Sequence, residues 1–326
     1  MSKLRVVLVS DLHGSGIVYG KIANLPKLLK TDLVVVAGDL TGKILVPIVR
    51  KGGEYVTNLF GEVKVINSDE QVKTISKTLR DNGYYPYVTD EEEYNNIAND
   101  KDYFKKVLLK VMEEYFRVDI SKIENNYRKL GVKLVYLAGN DDPKEFVNKI
   151  YEEYDNDVLI PIDEKTMNIN DYMFLGFGYS NETPWHTARE LPEREIEERL
   201  IKLFSGLNRN ELDRTIAIIH VPPYGTTIDQ APKLTNDLKP VVEGGVVAME
   251  HVGSTAVRRI LENFGPLIGL HGHVHESYGI DFLNAKCCNK KIPVVNAGSE
   301  YQGGMLRFAY LMLEDLKLKD KIIARA

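Results

Sequence analysis

Residues 5–14 read RVVLVSDLHG, and residues 33–40 read LVVVAGDL. Each is an apolar, largely β-branched run that ends in a small residue and then an aspartate. Such runs lack the in-and-out alternation of a half-solvated strand, so they predict strands covered on both faces. Six further segments follow the same plan: Lys133–Ala138, Tyr172–Phe177, Thr215–His220, Pro266–Leu270, Pro293–Ala297 and Leu306–Leu313. Between several of them, Ile22–Lys30, Lys144–Glu153, Pro192–Phe204 and Thr255–Phe264 carry apolar residues three and four apart, which predicts helices. Strand, short loop, helix, strand is the pattern of a layered α/β protein.

One stretch breaks that rhythm. From Gly42 to Gly131 the sequence predicts a hairpin, Ile44–Arg50 and Tyr55–Phe60, around Lys51-Gly52-Gly53-Glu54. A charged helical segment (Ser68–Asp81), a tyrosine-rich turn (Gly83–Tyr87) and a long helical pattern from Glu91 to about Leu130 follow. The stretch 43–131 reads as an insertion, a hairpin plus helices forming a cap beside the main sheet. The alternative is that these helices simply cover one sheet face.

The 326 residues are 44% hydrophobic and 27% charged, enough for one large domain or two modest ones and unlike a disordered chain. Lys+Arg 42 against Asp+Glu 47 leaves a net charge of −5, so no duplex nucleic acid or acidic membrane is expected as a partner. No apolar run approaches the roughly 18 residues that crossing a bilayer requires. Met1 to Arg5 runs straight into a strand, and no secretory signal is expected. The two cysteines, Cys287 and Cys288, are adjacent. Their Cα atoms, about 3.8 Å apart across a trans peptide, are too close for an unstrained disulfide. Reduced thiols in a cytoplasmic protein are the expectation.

Chemistry is written in the loops that follow the strands. Asp11-Leu12-His13-Gly14, Gly38-Asp39-Leu40, Gly139-Asn140-Asp141-Asp142, His220-Val221-Pro222 and Gly272-His273-Val274-His275 each place metal-capable side chains just past a strand. In an open α/β sheet such loops converge on one crevice. Asp11, His13, Asp39, Asn140, His220, His273 and His275 are too many ligands for one tetrahedral zinc. They suit two divalent ions that share a carboxylate.

Asp-x-His, Gly-Asp, Gly-Asn, a lone His after a strand and Gly-His-x-His, in that order from residue 9 to about 300, resemble the calcineurin-like metallophosphoesterase family. His220-Val-Pro-Pro-Tyr-Gly, His251-Val-Gly-Ser and Asn296-Ala-Gly-Ser-Glu further resemble a branch of small prokaryotic phosphoesterases of uncertain substrate. The resemblance implies a four-layer α/β/β/α sandwich. It implies that Asp11, His13 and His275 hold one metal and Asn140, His220 and His273 the second, with Asp39 bridging. It implies hydrolysis of a phosphomono- or phosphodiester through a metal-bridging hydroxide. Mixed imidazole, carboxylate and amide ligands favour Mn, Fe, Zn, Co or Ni, with manganese placed first. The expected substrate is a small phosphoester, nucleotide-like among the options, and a homo-oligomer stays open. The rival reading is a metal-binding scaffold of the same fold with little or no catalysis.

There is one departure. The family's third motif reads Gly-Asn-His followed by an acid, and that His is thought to protonate the leaving oxygen. In this sequence Asp141 fills the slot. An aspartate with a pKa of about 3.9 is a poor acid near neutrality. Three options remain open: Asp141 is perturbed upward, His251 or His186 donates instead, or the leaving group needs little help. Asp141 and His251 are carried as the catalytic candidates. His251 reads equally as a helix-entry residue, and His186 more readily as surface packing beside the only Trp. Tyr224 and Gly225 are candidates to line the opening. Asp142 reads as a brace for the Asn140 loop, and His271 as a hydrogen-bonded core histidine. Tyr84–Tyr87 reads as packing within the insertion rather than a base-stacking platform. Residues 37–43 resemble a phosphate-binding loop, but Ile44 stands where a Ser or Thr is required.

Overall fold

A computed structural model describes residues 3–59 and 61–326. Phe60, which closes the expected hairpin, lies outside the described residues. Two six-stranded sheets organise the chain. The first runs Lys317–Arg325, Arg307–Glu314, Leu4–Val9, Leu33–Ala37, Lys133–Leu137, Leu159–Pro161 in spatial order. The second runs Gly279–Asn284, Lys291–Asn296, Ile268–His271, Thr215–Ile219, Tyr172–Phe177, Thr166–Ile169. In each, four strands pair in parallel and antiparallel strands flank them.

The unbroken apolar runs follow from burial on both faces. Val6, Leu8, Val35 and Val135 point between the sheets, against Phe174, Ile216, Ile218, Leu270 and Val295 of the second. Their neighbours Val7, Val9 and Val34 point outward, under Ile22, Phe116, Tyr127 and Phe146. On the far side, Ala217, Ile219 and Val294 pack beneath Leu200, Phe204, Val257 and Leu261 of helices Glu193–Ser205 and Thr255–Phe264. Helix, sheet, sheet, helix is the four-layer sandwich that the resemblance implies. No helix among the described residues is long and apolar enough to cross a membrane.

The stretch 43–131 divides in two. Glu62–Ile66, Glu54–Leu59, Ile44–Lys51 and Tyr84–Thr89 form a separate four-stranded sheet, with helix Asp69–Asp81 packed on Ile48 and Ile66 through Val72. Helix Lys101–Leu130 instead lies on the outer face of the first sheet, where Val111, Phe116, Ile120 and Tyr127 join its core. Gly83–Tyr87 is not simply a turn. Tyr84–Thr89 is a strand parallel to Ile44–Lys51. Pro86 is tolerated there because the strand sits at the sheet's edge.

The long helical pattern is also two helices, Glu91–Asn99 and Lys101–Leu130, broken where the Asp100 side chain accepts from the Asp102 and Tyr103 amides at 2.9 and 3.0 Å. Near the start of the chain, the expected helix Ile22–Lys30 is replaced by Gly16–Ile22 and Leu25–Leu29. Pro26 supplies no amide to continue the first helix and sits in the first turn of the second, where none is needed.

Candidate metal centre

The carboxyl ends of both parallel strand sets open on the same crevice. Asp11, Asp39 and Asn140 come from the loops after three neighbouring strands of the first sheet; His220, His273 and His275 come from the second. Backbone bonds stitch the loops together: Asp11 N to Gly38 O, and His13 N to Asp39 O, both 2.9 Å. Asp11, His13, Asp39 and His273 adopt left-handed backbone, with φ of 54°, 41°, 51° and 69°. Such strain costs about 1–3 kcal/mol per residue and persists where the surroundings over-determine it.

Two glycines permit the close approach. A Cβ on Gly38 would overlap the His220 ring, and one on Gly139 would overlap the Asp39 carboxylate.

The contacts unite all seven residues. His13 Nε2 lies 3.0 Å from His275 Nε2 and 3.7 Å from Asp39 Oδ2. His275 Nε2 is 3.7 Å from Asp11 Oδ1. Ligand atoms of Asp11, His13, Asp39 and His275 all lie within 4.8 Å of one another, a group that could hold a metal ion. On the other side, His220 Nε2 is 3.5 Å from Asp39 Oδ1 and 2.9 Å from Asn140 Oδ1, and His273 Nδ1 is 2.8 Å from that same amide oxygen.

The donors fit a cation. In these contacts the nitrogens of His13 and His275 face each other, those of His220 and His273 face the Asn140 amide oxygen, and Asp11 and Asp39 are buried beside them. Burial drives the His13 and His273 rings down to about 3, so both offer neutral nitrogens. Burial pushes Asp11 up, whereas for Asp39 it is outweighed by His220, His13 and the Asp141 amide, which hold the carboxylate below its ordinary range. His220 resists burial because Asp39 stands beside it, and is pushed up to about 9. Its Nδ1 lies 2.6 Å from Ala37 O, a backbone contact that aims Nε2 into the site.

Surrounding residues fix the ligands. Asp142 binds Leu40 N, Thr41 N, Thr41 Oγ1 and Gly139 N, and so braces the loops of both Asp39 and Asn140. Asn140 Nδ2 donates to Thr187 Oγ1 at 2.8 Å, and that hydroxyl donates to Glu190 at 2.7 Å. The chain of bonds turns Asn140 Oδ1 inward. Ser299 Oγ donates to Asp11 O at 2.7 Å.

Asp141 sits on the rim. Its amide donates to Asp39 Oδ1 at 2.9 Å, and its Oδ2 is 3.7 Å from His13 Nδ1 and 2.5 Å from Lys43 Nζ. Burial and the Asp39 charge push its carboxyl up to about 7 despite Lys43. His251 Nδ1 is 2.8 Å from buried Asp229, and its ring is 5.6 Å from Tyr224. His186 is exposed. His271 is buried, with Nδ1 2.8 Å from Ile219 O. Cys287 and Cys288 are free thiols.

Lys43, Thr187 and Tyr301 were not legible as site residues, because each reaches the site through a contact distant in sequence. The Tyr301 ring is 4.6 Å from His13 and walls a cavity of about 400 Å³ that His275, Ser299 and Met305 also line.

Fold and site together define a metal-binding phosphoesterase architecture. The model of the calcineurin-like phosphoesterases matches residues 4–277, and the chain belongs to that family. An uncharacterized protein of Methanocaldococcus jannaschii is 33% identical over 152 residues, which is 46% of this chain and 59% of that protein. The matched region thus spans less than two thirds of that relative. One solved structure aligns at TM-score 0.55 and 19% identity over 99% of each chain, a likeness of fold. A protein of Thermus thermophilus aligns at TM-score 0.49 and 14% identity over 99% of each chain.

Proposed function

We propose that this chain hydrolyses a small phosphoester with two divalent cations. Asp11, His13 and His275 would hold one ion, and Asn140, His220 and His273 the other. The observation that carries the reading is Asp39, whose Oδ2 faces His13 at 3.7 Å while its Oδ1 faces His220 at 3.5 Å. One carboxylate presenting an oxygen to each ligand set is what a shared ligand requires.

Such a cation pair, when bound, activates water and neutralises charge on phosphoryl oxygens. The chain's own residues do the rest. Asp142 and the Thr187–Glu190 relay hold the Asp39 and Asn140 loops, and Ala37 O fixes the His220 ring. The cavity beside Tyr301 has room for a small ester, and its aromatic wall suits a nucleotide-like or aryl leaving group. Mixed imidazole, carboxylate and amide ligation favours Mn, Fe, Zn, Co or Ni over Mg or Ca, and manganese is the ion we place first. His251, tied to Asp229, is left out of the catalytic set.

The test is hydrolysis of aryl phosphomonoesters and bis-aryl phosphodiesters by the full chain with added manganese. Turnover abolished by Asp39→Asn supports the reading. A folded, metal-loaded protein that turns over neither class with any of these ions would refute it and favour a scaffold.

A further inference from the structure

Lys43 lies outside the ordered motif pattern, yet its ammonium reaches the rim of the site. Nζ is 2.5 Å from Asp141 Oδ2, and that oxygen is in turn 3.7 Å from His13 Nδ1. The lysine side chain is 48% exposed and the aspartate 11%, so the carboxylate lies deeper and the ammonium at the mouth.

The backbone that carries Lys43 has little freedom. Gly42 N donates to Tyr85 Oη at 3.0 Å, and a Cβ on Gly42 would come within 3.0 Å of His13 O and overlap Gly83 O. The chain therefore delivers Lys43 from directly against the His13 loop.

A carboxylate alone in this position would repel an anionic phosphoester. The ammonium offsets that charge, and with one N–H committed to Asp141 it keeps two donors for another acceptor. We propose that Lys43 is a catalytic residue that hydrogen-bonds the departing oxygen of the ester, with Asp141 as its positioning residue. In phosphoryl transfer the bond from phosphorus to that oxygen breaks and its electron pair stays on the oxygen. A preorganised cation at the point where charge develops lowers the barrier without reorganisation. No proton need move from Lys43 in this step; water can protonate the departed alkoxide or phenoxide to the alcohol. The inference rests on the phosphoester reading above and adds the group that assists departure.

The experiment compares wild type, Lys43→Met and Lys43→Arg as manganese-loaded full chains. Substrates are aryl phosphoesters graded from nitrophenyl to phenyl, and kcat and KM are measured separately. Loss of one such donor should cost about a hundredfold in kcat on the phenyl ester. The loss should shrink as the leaving group becomes more acidic, so that log kcat falls more steeply with leaving-group pKa in Lys43→Met. Lys43→Arg should restore part of the rate on the phenyl ester. Metal content and thermal midpoint, measured alongside, should match wild type.

An equal loss across the series, a change in KM alone, or no change would each overturn the assignment. Absence of turnover in the metal-loaded wild type would instead overturn the phosphoester reading, and this inference with it.

Discussion

Asp142 joins two loops that carry ligands, and replacing it by Ala tests how far the site depends on that join. Its Oδ2 accepts from Leu40 N at 3.0 Å and Gly139 N at 2.8 Å, and its Oδ1 accepts from Thr41 N at 2.9 Å and Thr41 Oγ1 at 2.7 Å. The residue is fully buried. Truncation leaves three backbone donors without a partner, at about 1–3 kcal/mol each. Burial also pushes the Asp142 carboxyl up, so removing the charge recovers part of that cost. Water entering the vacated space recovers more. The net expectation is a loss of about 4 kcal/mol. Asp142→Asn should cost about half as much, because one oxygen remains while the amide N–H₂ meets donors. Urea unfolding of metal-free wild type and variants at neutral pH measures both losses, with equal m-values as the check on two-state behaviour. Manganese affinity should fall about tenfold or more in Asp142→Ala, as for lost support of a ligand. A change below about 1 kcal/mol, the worth of one ordinary hydrogen bond, would refute the bracing argument.

Two further outcomes follow from the same geometry. Burial lowers the His271 ring to about 4 in the folded chain, against about 6.5 when unfolded. The unfolded state therefore takes up a proton first, so metal-free stability should decline as pH falls from about 6.5 to about 4, by up to about 3 kcal/mol from this residue. Urea midpoints across that range should show a shallower decline in His271→Asn; identical slopes would contradict the assignment. Thr187→Val removes the acceptor that orients Asn140, and chelator competition should report manganese binding weakened about tenfold. Unchanged affinity would mean that the Asn140 amide is held by other means.

The sequence showed the fold where both faces of a strand are buried. Val6 to Val9 and Leu33 to Ala37 are apolar throughout because alternate side chains enter different cores. Gly279–Asn284, Lys317–Arg325 and Glu62–Ile66 escaped notice: each is an edge strand whose apolar residues are interrupted by charged or polar ones, and Val63, Val65, Phe282 and Ile322 are left exposed, so no continuous buried run marks them. Tyr84–Thr89 was obscured by Pro86, whose missing amide matters only in a central strand. The seven convergent residues were legible because each follows a strand in a fixed order. Lys43 was not: the contact that gives it meaning is with Asp141, a long way along the chain, and its own neighbours suggest only a loop. Likewise the Thr187 hydroxyl belongs to a loop whose more conspicuous members, Trp185 and His186, face solvent.

Manganese titrated into the metal-free protein and followed by electron paramagnetic resonance tests the shared role of Asp39 most directly. The account predicts an exchange-coupled spectrum that saturates at two equivalents in the wild type and is lost in Asp39→Asn. Saturation at one equivalent, or two ions giving only the six-line signal of isolated manganese, would contradict it.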